Sequence, residues 1–433
     1  MPSVQSLQVA KKGVGYTMKQ NRMLLRMVSN KAVRYNFISL HKKFRKSPQY
    51  KMRNLIRCCK NVIKHDRIRI HEGKYVVNSF FPPINSYAFY QIAMRVPGEG
   101  AAFFENHTLG KRLAPISTYI AVTHKCMYRC WHCSASRFME NKNKDMTTEE
   151  FLTVVKKIRD LGVGIIGFTG GEPLLRKDLE QAISLASAPS NNSKIKGSYA
   201  IHSMTLVFTT GFGLDLERAQ SLKEAGLFGI AISLDSVSSD NHDKMRGVDG
   251  AFEKAIEAIK NSKRAGLYTM CQTMCTRELL QSGEIYEIAK YAKSLGIDEM
   301  RIMEPIPCGS MEDRPQEILT KEEQKKLISL HVEMNENKMY PKVSVFPYIE
   351  SEDQYGCGAG SQHSFIDADG NLGPCDFLPI SYGNLLTEEA EVIWKRMHEK
   401  MGKPRCKCYA KYKEEQVNLP KYYQLMRGRI DVL

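Results

Sequence analysis

The sequence predicts an α/β protein: a partial (β/α)6, TIM-like barrel between a basic helical N-terminal region and a small metal-containing C-terminal domain. Three observations predict it. From about residue 115 to 308 one phrase recurs, an amphipathic helix that stops at a glycine and is followed by a short apolar strand. The first 100 of the 433 residues hold 20 Lys or Arg and only 3 Asp or Glu, a net +17, whereas the other 333 sum to about −1. Cysteines gather in two places, at residues 126–133 and 357–408.

The first region, residues 1–112, contains "NRMLLRMVSNKAVRYNFISLHKKFRK" and "KMRNLIRCCKNVIKHDRIRI", in which Leu, Ile, Met and Phe alternate with Lys and Arg. Basic amphipathic helices of this kind suit an anionic membrane surface. Nucleic acid attracts the same charge, but the region carries no RNA-binding motif and that option ranks lower. The remaining option is a helical subdomain packed on the barrel with a solvated basic face. "FFPPINSYAFY", from Phe80 to Tyr90, either covers the barrel mouth, touches an apolar substrate, or simply packs as a connector.

The second region, residues 113–315, reads as the barrel. "STYIAVT" and "SMTLVFTT" are strands, and four phrases ("IRDLGVGIIGF", "LKEAGLFGIAISL", "SKRAGLYTMCQTM", "AKSLGIDEMRIM") complete about six strand–helix units. Gly162, Gly226, Gly266 and Gly296 stand where helix C-termini need a left-handed residue. Thr147 and Glu150 form a capping box before Phe151, Val154, Val155, Ile158 and Leu161. Strands alternating with helices imply a parallel sheet, and right-handed crossovers curl it towards a barrel. Active sites of such barrels lie at the C-terminal strand ends. From about 316 the alternation ends, and residues 316–433 read as a separate small domain.

No apolar run approaches the 18 residues of a transmembrane helix, and the N-terminus lacks a signal-peptide core. The expectation is a cytoplasmic protein, with peripheral attachment to the inner face of the membrane as the variant that the basic region adds. In a reducing compartment the twelve cysteines point to metal or redox chemistry rather than disulfides. Cys58, Cys59, Cys271, Cys275 and Cys308 lack ligand spacing and read as small buried residues.

Cys126, Cys130 and Cys133 have C-x3-C-x2-C spacing and follow the first barrel strand. Zinc would take His124 or His132 as a fourth ligand, whereas an iron–sulfur cluster on three cysteines leaves one iron open. After the second strand, "TGGEP" supplies Gly170 and Gly171, which allow close approach to the backbone, and Glu172, which can accept from an ammonium group. The two motifs together resemble those of radical S-adenosylmethionine (radical SAM) enzymes. That resemblance implies a [4Fe–4S] cluster on Cys126, Cys130 and Cys133, chelated at its open iron by S-adenosylmethionine. Reductive cleavage then gives a 5′-deoxyadenosyl radical that abstracts a substrate hydrogen, with a flavodoxin- or ferredoxin-like donor of low-potential electrons. By position, His132 is expected near the adenine, and Gly170, Gly171 and Glu172 at the methionine amino group. Ser233 and Asp235 fall near the ribose or substrate, and Arg246 near the carboxylate; His242 and Glu304 are weaker candidates.

The second cysteine set, Cys357, Cys375, Cys406 and Cys408, includes a C-x12-G-x4-C pattern around Gly370. It resembles the SPASM and Twitch domains appended to many radical SAM enzymes, which implies an auxiliary [4Fe–4S] cluster. A structural zinc site is the plainer alternative. C-x-C at Cys406 and Cys408 departs from the usual C-x2-C. Relatives with such domains often modify peptides or proteins, so a peptide-modifying oxidoreductase or maturase is the first expectation. The basic region makes a lipid or membrane-linked substrate the second, and an iron–sulfur electron carrier is the third, non-enzymatic one.

Overall fold

A computed structural model describes residues 14–139, 145–190 and 202–412. The outermost parts of the basic region (1–13) and of the C-terminal region (413–433) therefore lie outside the described residues.

The basic region is helical: α1 (Val14–Ser29), α2 (Lys31–Phe44) and α3 (Met52–Val62), then a hairpin of β1 (Arg69–His71) and β2 (Lys74–Val76), then α4 (Tyr87–Met94) and α5 (Gly100–Thr108). Asn30 caps α2 by accepting from the Ala32 and Val33 N–H groups, so the chain breaks between α1 and α2 without leaving those donors orphaned.

The barrel strands are β3 (Ser117–Ala121), β4 (Ile165–Thr169), β5 (Met204–Thr209), β6 (Gly229–Ser233), β7 (Tyr268–Met274) and β8 (Glu299–Met303). Between them run α6 (Ser136–Met139), α7 (Thr148–Leu161), α8 (Leu179–Ser187), α9 (Leu216–Glu224), α10 (Ser239–Arg246), α11 (Ala251–Arg264), α12 (Arg277–Ser282) and α13 (Glu284–Ser294). Each neighbouring strand pair is parallel. Both strand faces are buried, as a parallel sheet under helices requires. Ile120, Ile166, Phe168, Val207, Ile230 and Ile232 lie in one buried cluster with the helix residues outside the sheet, among them Phe151, Val154, Val155 and Ile158 of α7. The expected capping box at Thr147 and Glu150 is formed, and Gly162, Gly226, Gly266 and Gly296 have φ of +97°, +98°, +75° and +74°.

The strand–helix alternation does not end at residue 315, where the sequence suggests it does. Helix α14 (Lys321–Glu336) leads into β9 (Lys342–Val345), which adds parallel to β8. After α15 (Phe346–Ile349), strand β10 (His363–Ile366) adds parallel to β3 at the opposite edge, and β11 (Leu372–Gly373) pairs antiparallel with it. The sheet order is β11-β10-β3-β4-β5-β6-β7-β8-β9. Helix α16 (Ala390–Met401) completes the C-terminal segment. The continuation is hidden in the sequence because α14 ends at Asn337 in an extended conformation, not at a glycine, and both added strands are four residues long.

The basic region is tied into the barrel at the end opposite the C-terminal strand ends. Val76 and Ala88 pack with Ile165, Met204, Tyr268 and Met270. Ser79 donates to Glu299 through both its N–H and its hydroxyl (3.0 and 2.7 Å), and Arg301 donates to Ser79 Oγ. The Arg67 guanidinium clasps the turn between α14 and β9 by donating to the carbonyls of Met334, Asn335, Asn337 and Tyr340. "FFPPINSYAFY" is thus a packed connector: Phe80 lies under Arg301, 4.2 Å from its guanidinium carbon, and does not cover the barrel mouth.

Candidate iron–sulfur site

The three cysteines of the first set lie on the loop after β3, and the segments after three other strands, β4, β6 and β8, hold it in place. Glu172 N–H donates to Lys125 O (2.8 Å) and Gly171 N–H to Thr123 O (2.9 Å). Arg129 N–H donates to Arg246 O (3.0 Å), and Ser310 N–H to Cys133 O (2.9 Å). Close approach explains the glycines there. A Cβ on Gly171 would stand 2.0 Å from Lys125 O, and one on Gly309 would stand 2.4 Å from Cys133 O.

Burial pushes the Cys126 thiol up to about 11 and raises Cys133 as well, so metal binding must displace their protons. Behind Cys130 lies Arg246, whose Nη1 is 3.8 Å from the sulfur. Arg246 is ion-paired with Asp235, which is fully buried and accepts from Met274 N–H (2.8 Å). His132 Nε2 is 3.8 Å from the same carboxylate. Burial lowers His132 and His242 to about 4, against the pull of Asp235. Asp235 and Arg246 therefore neutralise each other next to the cysteine loop. Ser233 ends β6, half-buried.

Glu172 is fully buried, and its carboxylate accepts four bonds. Leu174 N–H (3.0 Å) and the Thr209 hydroxyl bond to Oε1, while Thr210 N–H (2.8 Å) and the Thr210 hydroxyl (2.7 Å) bond to Oε2. A carboxylate has about four lone-pair sites, and all are taken. Here Glu172 clamps the end of β5 to the Gly-Gly loop; the expected acceptor for an ammonium group is already satisfied.

The histidines considered as zinc ligands are engaged elsewhere: His124 Nε2 lies 3.2 Å from Asp369 and His132 beside Asp235. Among the described residues, the three cysteines form no single-ion site with any imidazole or carboxylate; the group with that spacing is His363, Cys375 and Asp376. Three thiols on one fixed loop, with the buried His132 Nδ1 and Arg246 Nε lacking partners, fit a cluster larger than one ion.

In the second set, Cys357 and Arg405 exchange backbone bonds (2.7 and 3.2 Å), which brings the Cys406–Cys408 stretch beside Cys357. The Cys408 thiol donates to Cys357, holding Cys357 below and Cys408 above the usual thiol range. Cys375 lies within electrostatic reach of both. Cys406 is half-buried, and the charges around its thiol are those of Glu352, Lys403 and Lys407. Glu304, at the end of β8, is buried and accepts from Lys411 (2.7 Å) and Gln324 (3.0 Å).

Sequence reasoning missed several residues of this site. Thr209 and Thr210 read as the end of a strand, and Cys308 as core. Cys308 is indeed buried, but the residues that follow it, Gly309 and Ser310, abut Cys133, so it lies beside the first cysteine loop. Its position just after β8 is the signal that points to it.

A partial β/α barrel with a three-cysteine loop at its C-terminal rim, and a second cysteine group in the segment that extends its sheet, defines an iron–sulfur enzyme. Comparisons with known proteins make this specific. The radical SAM superfamily matches over residues 120–279, and SPASM, an iron–sulfur cluster-binding domain, over 357–416. The chain belongs to the radical SAM superfamily, as an enzyme with a C-terminal SPASM domain that uses a [4Fe–4S] cluster, S-adenosylmethionine and auxiliary iron–sulfur binding. It is 27% identical over 297 residues to an AdoMet-dependent heme synthase of Oleidesulfovibrio alaskensis, covering 64% of this chain and 73% of that protein. It is 26% identical to a PqqA peptide cyclase of Rhizobium meliloti, covering 66% and 75%. SuiB of Streptococcus suis, solved with its precursor peptide SuiA, shares the fold with a TM-score of 0.51 at 16% identity, over 74% of this chain and 72% of that one.

Proposed function

We propose that this radical SAM enzyme modifies a peptide or protein, removing a hydrogen atom from a residue presented at the barrel rim. The observation that supports the reading is the SPASM match over residues 357–416, whose cysteines would hold a second electron-transfer centre in the same chain as the first cysteine loop. The peptide cyclase among its relatives supports the substrate class. When bound, the cluster and S-adenosylmethionine supply one-electron cleavage of a carbon–sulfur bond and hydrogen-atom abstraction.

The chain's own residues do the rest. Cys126, Cys130 and Cys133 hold the first cluster. Gly170 and Gly171 present backbone to the methionine end of the cofactor, and Glu172 fixes their position. His132, neutral at physiological pH, offers an apolar face for the adenine, and Ser233 a hydroxyl. Arg246, held by Asp235, turns the N–H edge of its guanidinium towards Cys130. Cys357, Cys375 and Cys408, with Cys406 alongside, hold the auxiliary cluster. A flavodoxin- or ferredoxin-like protein is the proposed electron donor. Among the described residues no helix is long and apolar enough to cross a membrane; we propose a cytoplasmic setting, with the basic region available to an anionic surface.

The test is substrate-dependent turnover. Reduced, reconstituted protein with S-adenosylmethionine should release 5′-deoxyadenosine slowly, and faster when a peptide fraction of its own cell extract is added, with a mass change in one peptide. Stimulation by the lipid fraction alone would reject the peptide reading.

A further inference from the structure

The helices of the basic region enclose a cavity of about 670 Å³ on the underside of the barrel, far from the cysteine loop. Val33, Leu40 and Phe44 of α2, Leu55 of α3, Ile92 of α4 and Tyr355 line it. It is over four times the size of an apolar cavity of about 150 Å³ that binds benzene, and within the range of ligand pockets. Two of the polar groups at its inner wall are engaged with the protein. His41 bonds to Tyr50 (3.0 Å), and Arg112 donates to the carbonyls of Ala114 and Ile92. A peptide or sugar inside would leave its own hydrogen-bonding groups unpaired. Hydrocarbon would not.

The rim has a different character. Val28, Ile38 and Ile56 border the cavity while 62%, 51% and 50% exposed, and Arg34 and Lys60 stand among them. Neither cation is ion-paired among the described residues. No Asp or Glu precedes Asp66 in the chain, whereas residues 14–64 contain 14 Lys or Arg. The region supplies no counter-charge of its own.

We propose that this chamber binds the aliphatic chain of an anionic amphiphile, whose head group lies against Arg34 and Lys60. The chain fills the apolar volume, and the rim cations, with no acid nearby in sequence, pair with a carboxylate or phosphate. A free fatty acid and an acidic phospholipid share this chemistry. The site lies at the opposite end of the barrel from the radical chemistry, so it is a separate binding function whatever the substrate is.

The test uses full-length protein and dansyl-labelled undecanoic acid as the fluorescent probe. Saturable binding, with displacement by oleate or by dihexanoyl phosphatidylglycerol, is the expected result; whichever competes better identifies the source of the ligand. Ala93→Trp and Val33→Trp grow into the chamber and should each weaken the probe at least about tenfold. Arg34→Glu and Lys60→Glu, on the surface, should weaken oleate by about fivefold each and leave oleyl alcohol unchanged. These two variants decide the question if the tryptophan variants do not fold. Absence of probe binding, equal binding by all four variants, or displacement by hemin but not by oleate would overturn the proposal.

Discussion

Replacing Glu172 separates two roles for the residue, and the structure sets the size of the effect. Both oxygens are saturated: each takes one backbone N–H and one hydroxyl. In Glu172→Gln the amide keeps one acceptor oxygen and turns an NH2 group on the other pair of donors. Hydroxyls can rotate to accept, but a backbone N–H cannot. Either the Leu174 or the Thr210 N–H is therefore left buried without an acceptor, at a cost of about 1–3 kcal/mol. Loss of charge from the remaining bonds brings the total to roughly 2–4 kcal/mol. Glu172→Ala strands both N–H groups and should cost roughly 3–5 kcal/mol. At about 1 °C per kcal/mol for a chain of this length, the glutamine variant should unfold a few degrees below the parent. The assay pairs anaerobic thermal unfolding with equilibrium dialysis of S-adenosylmethionine on reconstituted protein. The expected outcome is a clear loss of stability with cofactor binding weakened but present. A glutamine variant that melts within a degree of the parent yet binds no cofactor would refute the clamp and make the carboxylate a direct ligand of the ammonium group.

Three further outcomes are expected. Reconstituted protein should carry about eight irons and the Cys126→Ala, Cys130→Ala, Cys133→Ala variant about four; by iron assay Cys408→Ala should lose more of the auxiliary iron than Cys406→Ala, and equal loss would show equal roles. His107 and His242, lowered by burial to about 3 and about 4, are neutral in the folded protein, whereas the unfolded chain takes up protons below about 6.5. Their contribution is complete above that pH and is lost as pH falls towards 4, each by up to about 1.4 kcal/mol per pH unit; urea midpoints at pH 7 and 5 should converge in His107→Leu. Deleting residues 1–64 should leave a folded barrel, whereas deleting 1–96 removes Arg67, Val76 and Ser79 and should abolish soluble expression; survival of the longer deletion would show that these contacts are dispensable.

The fold was legible where one local signal repeats. A helix that stops at a left-handed glycine before an apolar strand gave β4, β6, β7 and β8, and the capping box placed the start of α7. Beyond residue 315 the same geometry is built without that signal. Asn337 replaces the glycine, β9 is only four residues long, and β10 returns to the far edge of the sheet beside β3. Sequence periodicity does not carry such a return. The basic region was legible only in part for a related reason. Its charge lies on exposed residues such as Arg34 and Lys60, but what binds it to the barrel is a few buried pairs, Ser79 with Glu299 and Arg67 with the turn after α14. Those partners lie more than 200 residues away.

The site divides along the same line. Cysteine spacing and the Gly-Gly-Glu motif are contiguous, so the elements of the first cysteine loop could be read directly. What each side chain does depends on partners supplied by other strands. Glu172 reads as an open acceptor only until Thr209 and Thr210 arrive from the end of β5 and fill it. Asp235 and Arg246 read as separate cofactor contacts, but burial makes each the other's counter-ion, since an isolated charge at that depth would be costly. Their pairing in turn sets the charge behind Cys130. A motif therefore reports which atoms arrive at the rim of the barrel, and the hydrogen-bond inventory there decides which of them are still free to meet a ligand. By that criterion Glu172, Asp235 and Arg246 are committed to partners within the protein, and the cofactor contacts proposed above are those of Ser233 and of the Gly170–Gly171 backbone outside the Gly171 N–H, which Thr123 already takes.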